Sequence, residues 1–108
     1  MAKLERSFHE DFEQLLNRIE DGIVNGSISA SLEDSSDFRC GEARCSVRVF
    51  ERYSVMGSNR LSMSVTLFQV GNGPVQLSAI TAGGSQGMLF KVNLFCEQAF
   101  LEILEEIL

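Results

Sequence analysis

The chain is poor in the residues that most chemistry requires. Of its 108 residues, one is histidine, one is proline and three are cysteine. A Ser-His-Asp arrangement would have to rest on His9 alone, which sits beside Glu10 and Asp11 and reads as a solvated residue at the start of a helix. Three cysteines, Cys40, Cys45 and Cys96, cannot all pair within one chain, so they read as reduced thiols rather than a disulfide framework. Cys40 and Cys45 stand at a C-x4-C spacing, half of a zinc site, but no second pair and no nearby histidine complete the four ligands. There is no apolar run near the ~20 residues of a membrane span, and the charged start MAKLERSFHED does not resemble a secretory signal. The cytoplasm is the expected compartment, with no membrane partner.

Positive charge is scarce as well. Nine Lys and Arg face fifteen Asp and Glu, for a net charge of −6, and such a chain repels nucleic acid and anionic membrane surfaces. The deficit is uneven. Residues 39–60 carry +3, in Arg39, Arg44, Arg48, Arg52 and Arg60 against two glutamates, whereas both predicted helices are acidic. A 44% hydrophobic fraction with a single proline describes a folded chain, and its length suits one domain, residues 1–108, that needs neither metal nor disulfide to fold.

What the chain does have is alternation. Ser27 to Glu33, Cys45 to Tyr53, Leu61 to Val70 and Val75 to Thr81 alternate apolar and polar residues with period two, the pattern of a one-sided antiparallel sheet. Phe12, Leu15, Leu16, Ile19 and Ile23 recur at helical spacing, and Phe100, Ile103, Leu104 and Ile107 do so at the other end, where Asn93 can cap a helix. Ser7 and Glu10 form a capping box, so the first helix is expected from Phe8, ending at Asn25 and Gly26; Lys3 to Arg6 is left open between a short strand and an arm. The expected fold is α+β: an antiparallel sheet of four to five strands, six at most, with an N-terminal and a C-terminal helix on one face. After a glycine-rich connection, Met88 to Val92 reads as a further strand, and Lys3 to Arg6 is the possible additional one.

Core residues must oppose core residues, so parity sets the register. A three-residue loop, Met56 to Ser58, would place Val49 opposite Val65, and a three-residue loop, Gly71 to Gly73, would place Leu67 opposite Leu77 and Val65 opposite Ala79. Phe50, Phe68 and Ile80 would then share the outer face with Arg48 and Arg52, and an apolar group there calls for a cover. Thr81 to Gly87 is the most phosphate-like stretch, but it lacks the P-loop lysine and reads better as a connection. The acidic run Glu33, Asp34 and Asp37 lacks EF-hand spacing.

The segments SLEDSSDF at Ser31 to Phe38, ERYS at Glu51 to Ser54 and SAITAGGSQ at Ser78 to Gln86 resemble a family of small, single-domain bacterial proteins of uncharacterised function. The resemblance spans nearly the whole chain and implies a compact cytosolic domain with no known activity, cofactor or catalytic residue. From the residues themselves no catalytic constellation, metal site or cofactor is expected. The leading expectation is a non-enzymatic interaction module, forming a homo-oligomer (a dimer) or meeting a protein partner through Phe50, Phe68 and Ile80, with Arg48 and Arg52 setting register. The rival is a small anionic ligand held by Arg48, Arg52 and the backbone from Gly83 to Gly87, including Gly84, Ser85 and Gln86.

Overall fold

A computed structural model describes residues 1–27, 29–54, 59–83 and 90–108. Among these, five strands and two helices follow in the order β1 (Ala2–Phe8), α1 (Phe12–Gly26), β2 (Ala30–Cys40), β3 (Ala43–Ser54), β4 (Asn59–Val70), β5 (Val75–Gly83) and α2 (Phe90–Ile107). The strands form one antiparallel sheet in the order β1-β5-β4-β3-β2. β2 to β5 are a meander, and β1 returns to the free edge of β5. Both helices lie on one face, and a single core joins Leu15, Ile19 and Ile23 of α1, Phe100 and Leu104 of α2, and Met63, Val65, Leu67, Leu77 and Ala79 of the sheet. The α+β class and the one-sided helix layer are as expected.

The second hairpin has the expected register: Leu67 opposes Leu77, and Val65 opposes Ala79. The first does not. Ser54 pairs with Asn59, leaving four residues between the strands rather than three, and Val49 falls opposite Ser64 while Phe50 meets Met63. That one-residue change turns every β3 side chain over. Phe50 is 0% exposed beneath the helices, not on the outer face, and Arg48 and Arg52 turn inward with it. The physical reason is size: an inward Phe50 buries more apolar surface than either valine, contributing about 2–3 kcal/mol.

The termini of the elements hold further corrections. Ser7 and Phe8 belong to β1, not to a capping box, and Leu4 fills the core opposite Ala79. The cap of α1 is Asp11, whose Oδ2 accepts from the Gln14 backbone N–H at 3.0 Å. The helix ends at Gly26 as expected. β2 runs on past Glu33 to Cys40 with a bulge between Leu32 and Asp34; its polar, bulged, acidic sequence is that of an edge strand that resists pairing with other chains. Phe90–Val92 is the first turn of α2 and not a strand, while Met88 lies outside the described residues. α1 and α2 touch where Gly22 and Gly26 admit Ile107 and Ile103.

Candidate functional site

Three of the arginines singled out by the sequence, Arg44, Arg48 and Arg52 of β3, face the helix layer, and each has a partner within the chain. Arg48, 8% exposed, donates through Nε to Glu20 Oε1 of α1 at 2.5 Å, through Nη1 to the Val47 carbonyl at 3.0 Å, and lies with Nη2 3.1 Å from Asp37 Oδ1 of β2. Burial works against its charge, but the hydrogen bonds to Glu20 and Asp37 outweigh it and hold the guanidinium above its ordinary pKa. The buried Ser46 hydroxyl donates to Asp37 Oδ1 at 2.6 Å. That bond, and secondly Arg48, holds the Asp37 carboxyl below its usual value. Arg44 lies over the Phe12 ring, 3.8 Å from its centroid, and pairs with Glu13; Arg52 lies 5.9 Å over the Phe100 ring. Arg44 and Arg48 thus tie α1 to the β2–β3 side of the sheet, while Arg52 reaches toward Phe100 of α2, which itself packs over β5, β1 and β4.

Arg52, Leu61 and Gly83 share one row across β3, β4 and β5. Arg48 stands four residues further along β3, about 13 Å away. The structure therefore does not gather Arg48, Arg52 and Gly83 at one point. Gly84, Ser85, Gln86 and Gly87 lie outside the described residues.

The other face of the sheet is organised by the register into rows that run straight across it. One row is Phe38, Cys45, Phe68, Gln76 and Ser7; the next is Ser36, Val47, Thr66, Ser78 and Glu5; the third is Asp34, Val49, Ser64, Ile80 and Lys3. On the three inner strands these rows make nine positions without a charged side chain. Charge begins at the two edge strands, with Asp34 on β2 and Lys3 and Glu5 on β1, and at the end of the sheet, where Arg60 pairs with Glu51 at 2.9 Å. Phe38 is 62% exposed, Phe68 41% and Ile80 40%. An apolar and hydroxyl-bearing centre inside a charged rim is the anatomy of a protein interface.

Phe68 and Ile80 were legible as outer-face residues; Phe38, Cys45, Val47 and Val49 were missed. The signal for Phe38 lay in Gly41-Glu42, a two-residue link between Cys40 and Ala43, with Gly41 at φ 58°. It marks a tight hairpin that carries Phe38 to a place beside Cys45. Cys40 is exposed on the same hairpin, and Cys96 is buried on α2. The acidic run is not a cluster: Asp34 faces outward, and Asp37 faces the helices. Among the described residues no group of three or more His, Cys, Asp or Glu is placed to hold a metal ion, and no helix is long and apolar enough to cross a membrane.

At one end of the molecule, a polar cleft of about 590 Å³ opens between the β1–α1 connection and the two turns, lined by His9, Glu10, Arg39, Glu42, Arg44 and Gln69 among others. Its two arginines meet at least as many carboxylates, so it offers no field of one sign. The turns beside it are tied together: the Gly71 N–H, at φ 56°, donates to the Glu42 carbonyl at 2.9 Å.

A family model described as a family of unknown function, DUF6054, matches residues 1–108, and the chain belongs to that family. Neither a curated protein nor a solved structure matches it.

Proposed function

We propose that this member of DUF6054 is a non-catalytic interaction module whose working surface is the outer face of the sheet. The observation that carries the reading is the block of nine uncharged positions on β3, β4 and β5, bounded by charge at both sheet edges. Phe68, Ile80, Val47 and Val49 supply the apolar contact, Ser64, Thr66 and Ser78 supply short polar groups, and Phe38 extends the patch over β2. Arg48 and Arg52 have no part in it, because they hold the helices. Apolar patches of this extent on a monomer mark places where another surface docks.

The test is a double substitution, Val49→Lys with Phe68→Lys, in a tagged chain expressed in its native cells. Both side chains point away from the core, so the variant keeps its fold, as circular dichroism of the purified chain will show. The native chain should migrate in gentle extracts well above its 12.0 kDa, and the variant should fall to the size of a single chain. A native chain already at single-chain size, or a large species indifferent to both lysines, would sink the reading.

A further inference from the structure

We infer that the occupant of the outer face is a second copy of this chain, seated face to face about a two-fold axis that runs along β4. The inference rests on the docking role proposed for that face and adds the partner and its orientation. β4 is the middle strand of five, so a two-fold axis lying along it carries β3 onto β5 of the other copy and β2 onto β1, row for row.

Most side chains of the two inner rows then meet in complementary pairs, while in the outermost row Phe38 comes over Ser7 and Cys45 over Gln76 of the second copy. Phe68 meets its own counterpart on the axis, as do Thr66 and Ser64. Val49 meets Ile80 of the second copy, apolar on apolar, and Val47 meets Ser78. At the rim, Asp34 at the β2 end of the third row comes over Lys3 at the β1 end of the same row in the second copy, and symmetry makes this pair twice. The sheets of a sandwich cross at about 30°, so the axis bisects the two β4 strands at about 15° from each, which leaves the central rows in register; at the edges the long Lys3 side chain spans the offset. The other two-fold axis available to a face-to-face pair lies across the strands. It would set Phe38 over Asp34 and Phe68 over Ser64, and it would separate Lys3 from Asp34. Charge and apolar complementarity both select the axis along β4.

Four strand spacings by three rows of side-chain steps give a projection of roughly 400 Å², about half of the ~800 Å² per partner in stable complexes of standard size, so the expected pair is a modest one that dissociates on dilution. The β2 edge favours stacking over edge pairing. β2 carries a bulge and three carboxylates, which discourage extension of the sheet by a second β2.

The test uses the purified full chain, with its solution mass measured by sedimentation across a hundredfold dilution. At the concentrated end the native chain should weigh twice 12.0 kDa, and Phe68→Lys, which sets two ammonium groups against each other on the axis, should weigh 12.0 kDa throughout. Orientation is read from a charge exchange. Lys3→Asp alone and Asp34→Lys alone each place like charges together twice per dimer and should raise the dissociation constant several-fold, while the double variant should return it to within about twofold of native. Such restoration cannot come from a misfolded single variant. A native chain of single mass at every concentration overturns the second copy; a dimer on which the two exchanges merely add overturns the axis. If the purified chain is monomeric while extracts still hold a large species lost on Val49→Lys and Phe68→Lys, the partner inference fails and the docking role stands. If both results are negative, both fail.

Discussion

Arg48 is the residue at which expectation and structure part most sharply. Read from sequence, its place among valines on an alternating strand puts it on the polar side, and the polar side is taken to be solvent. The register instead sends it under α1, where Glu20 and Asp37 meet it. Nothing in the local pattern distinguishes the two phases, because β3 has apolar residues on both: Val47 and Val49 on one, Phe50 on the other. The partners that make an inward arginine tolerable lie 28 and 11 residues away, beyond the reach of any local reading. The arrangement has a pH signature. Asp37 is held below its ordinary value of 3.8, first by the Ser46 hydroxyl and then by Arg48. A carboxyl whose folded pKa is depressed contributes stability that is complete above the unfolded value and disappears as pH falls through the lower, folded one. In urea titrations between pH 5 and pH 2, the native chain should therefore lose stability more steeply than Asp37→Asn. The two should converge at the acid end. Equal slopes for the two proteins would show that Asp37 titrates as it does in the unfolded chain.

At the scale of elements, the strands and helices with a clear period were legible and the boundaries set by turns were legible only where glycine marked them. Gly71 to Gly73 fixed the β4–β5 register correctly. The β3–β4 link, residues 55–58, has one glycine and no decisive turn pair, so its length could not be told from the alternation alone. β2 was cut short because SLEDSSDF has the composition of a loop, although an edge strand is expected to be polar. The packing of α1 on α2 was not visible either, since Gly26 read only as the end of the helix and Gly22, inside it, carries no signal of a close approach. In the structure a Cβ on Gly22 would come within 2.6 Å of the Ile107 side chain. This inverts the usual preference for larger residues inside a helix. Gly22→Val should lower stability by about 2 kcal/mol through overpacking, and Ile107→Ala in the same chain should return part of the loss. Thermal unfolding of the two single variants and the double variant measures this. If Gly22→Val proves neutral, the two helices are not in close approach at that point.

For the whole molecule, the two faces of the sheet divide the labour. Charge is spent on the helix side, where arginines from β3 meet carboxylates from α1 and β2, and on the solvent side of the helices; the outer face keeps an uncharged centre. That division follows from parity along antiparallel strands, which is why the existence of an apolar outer face was legible even though most of its members were not. A pair of chains docked on this face would tie stability to concentration. If folded chains associate and unfolded ones do not, mass action raises the unfolding temperature with protein concentration. For a pair of 108-residue chains, an unfolding enthalpy of about 0.7 kcal/mol per residue makes that rise about 3 °C for each tenfold increase. Calorimetric scans across two decades should therefore move the native transition upward by about 6–7 °C. Phe68→Lys should show a transition independent of concentration and coincident with the dilute limit of the native chain, because its core is untouched. A native midpoint that does not move would mean that the chain unfolds alone and that its outer face is bare in solution.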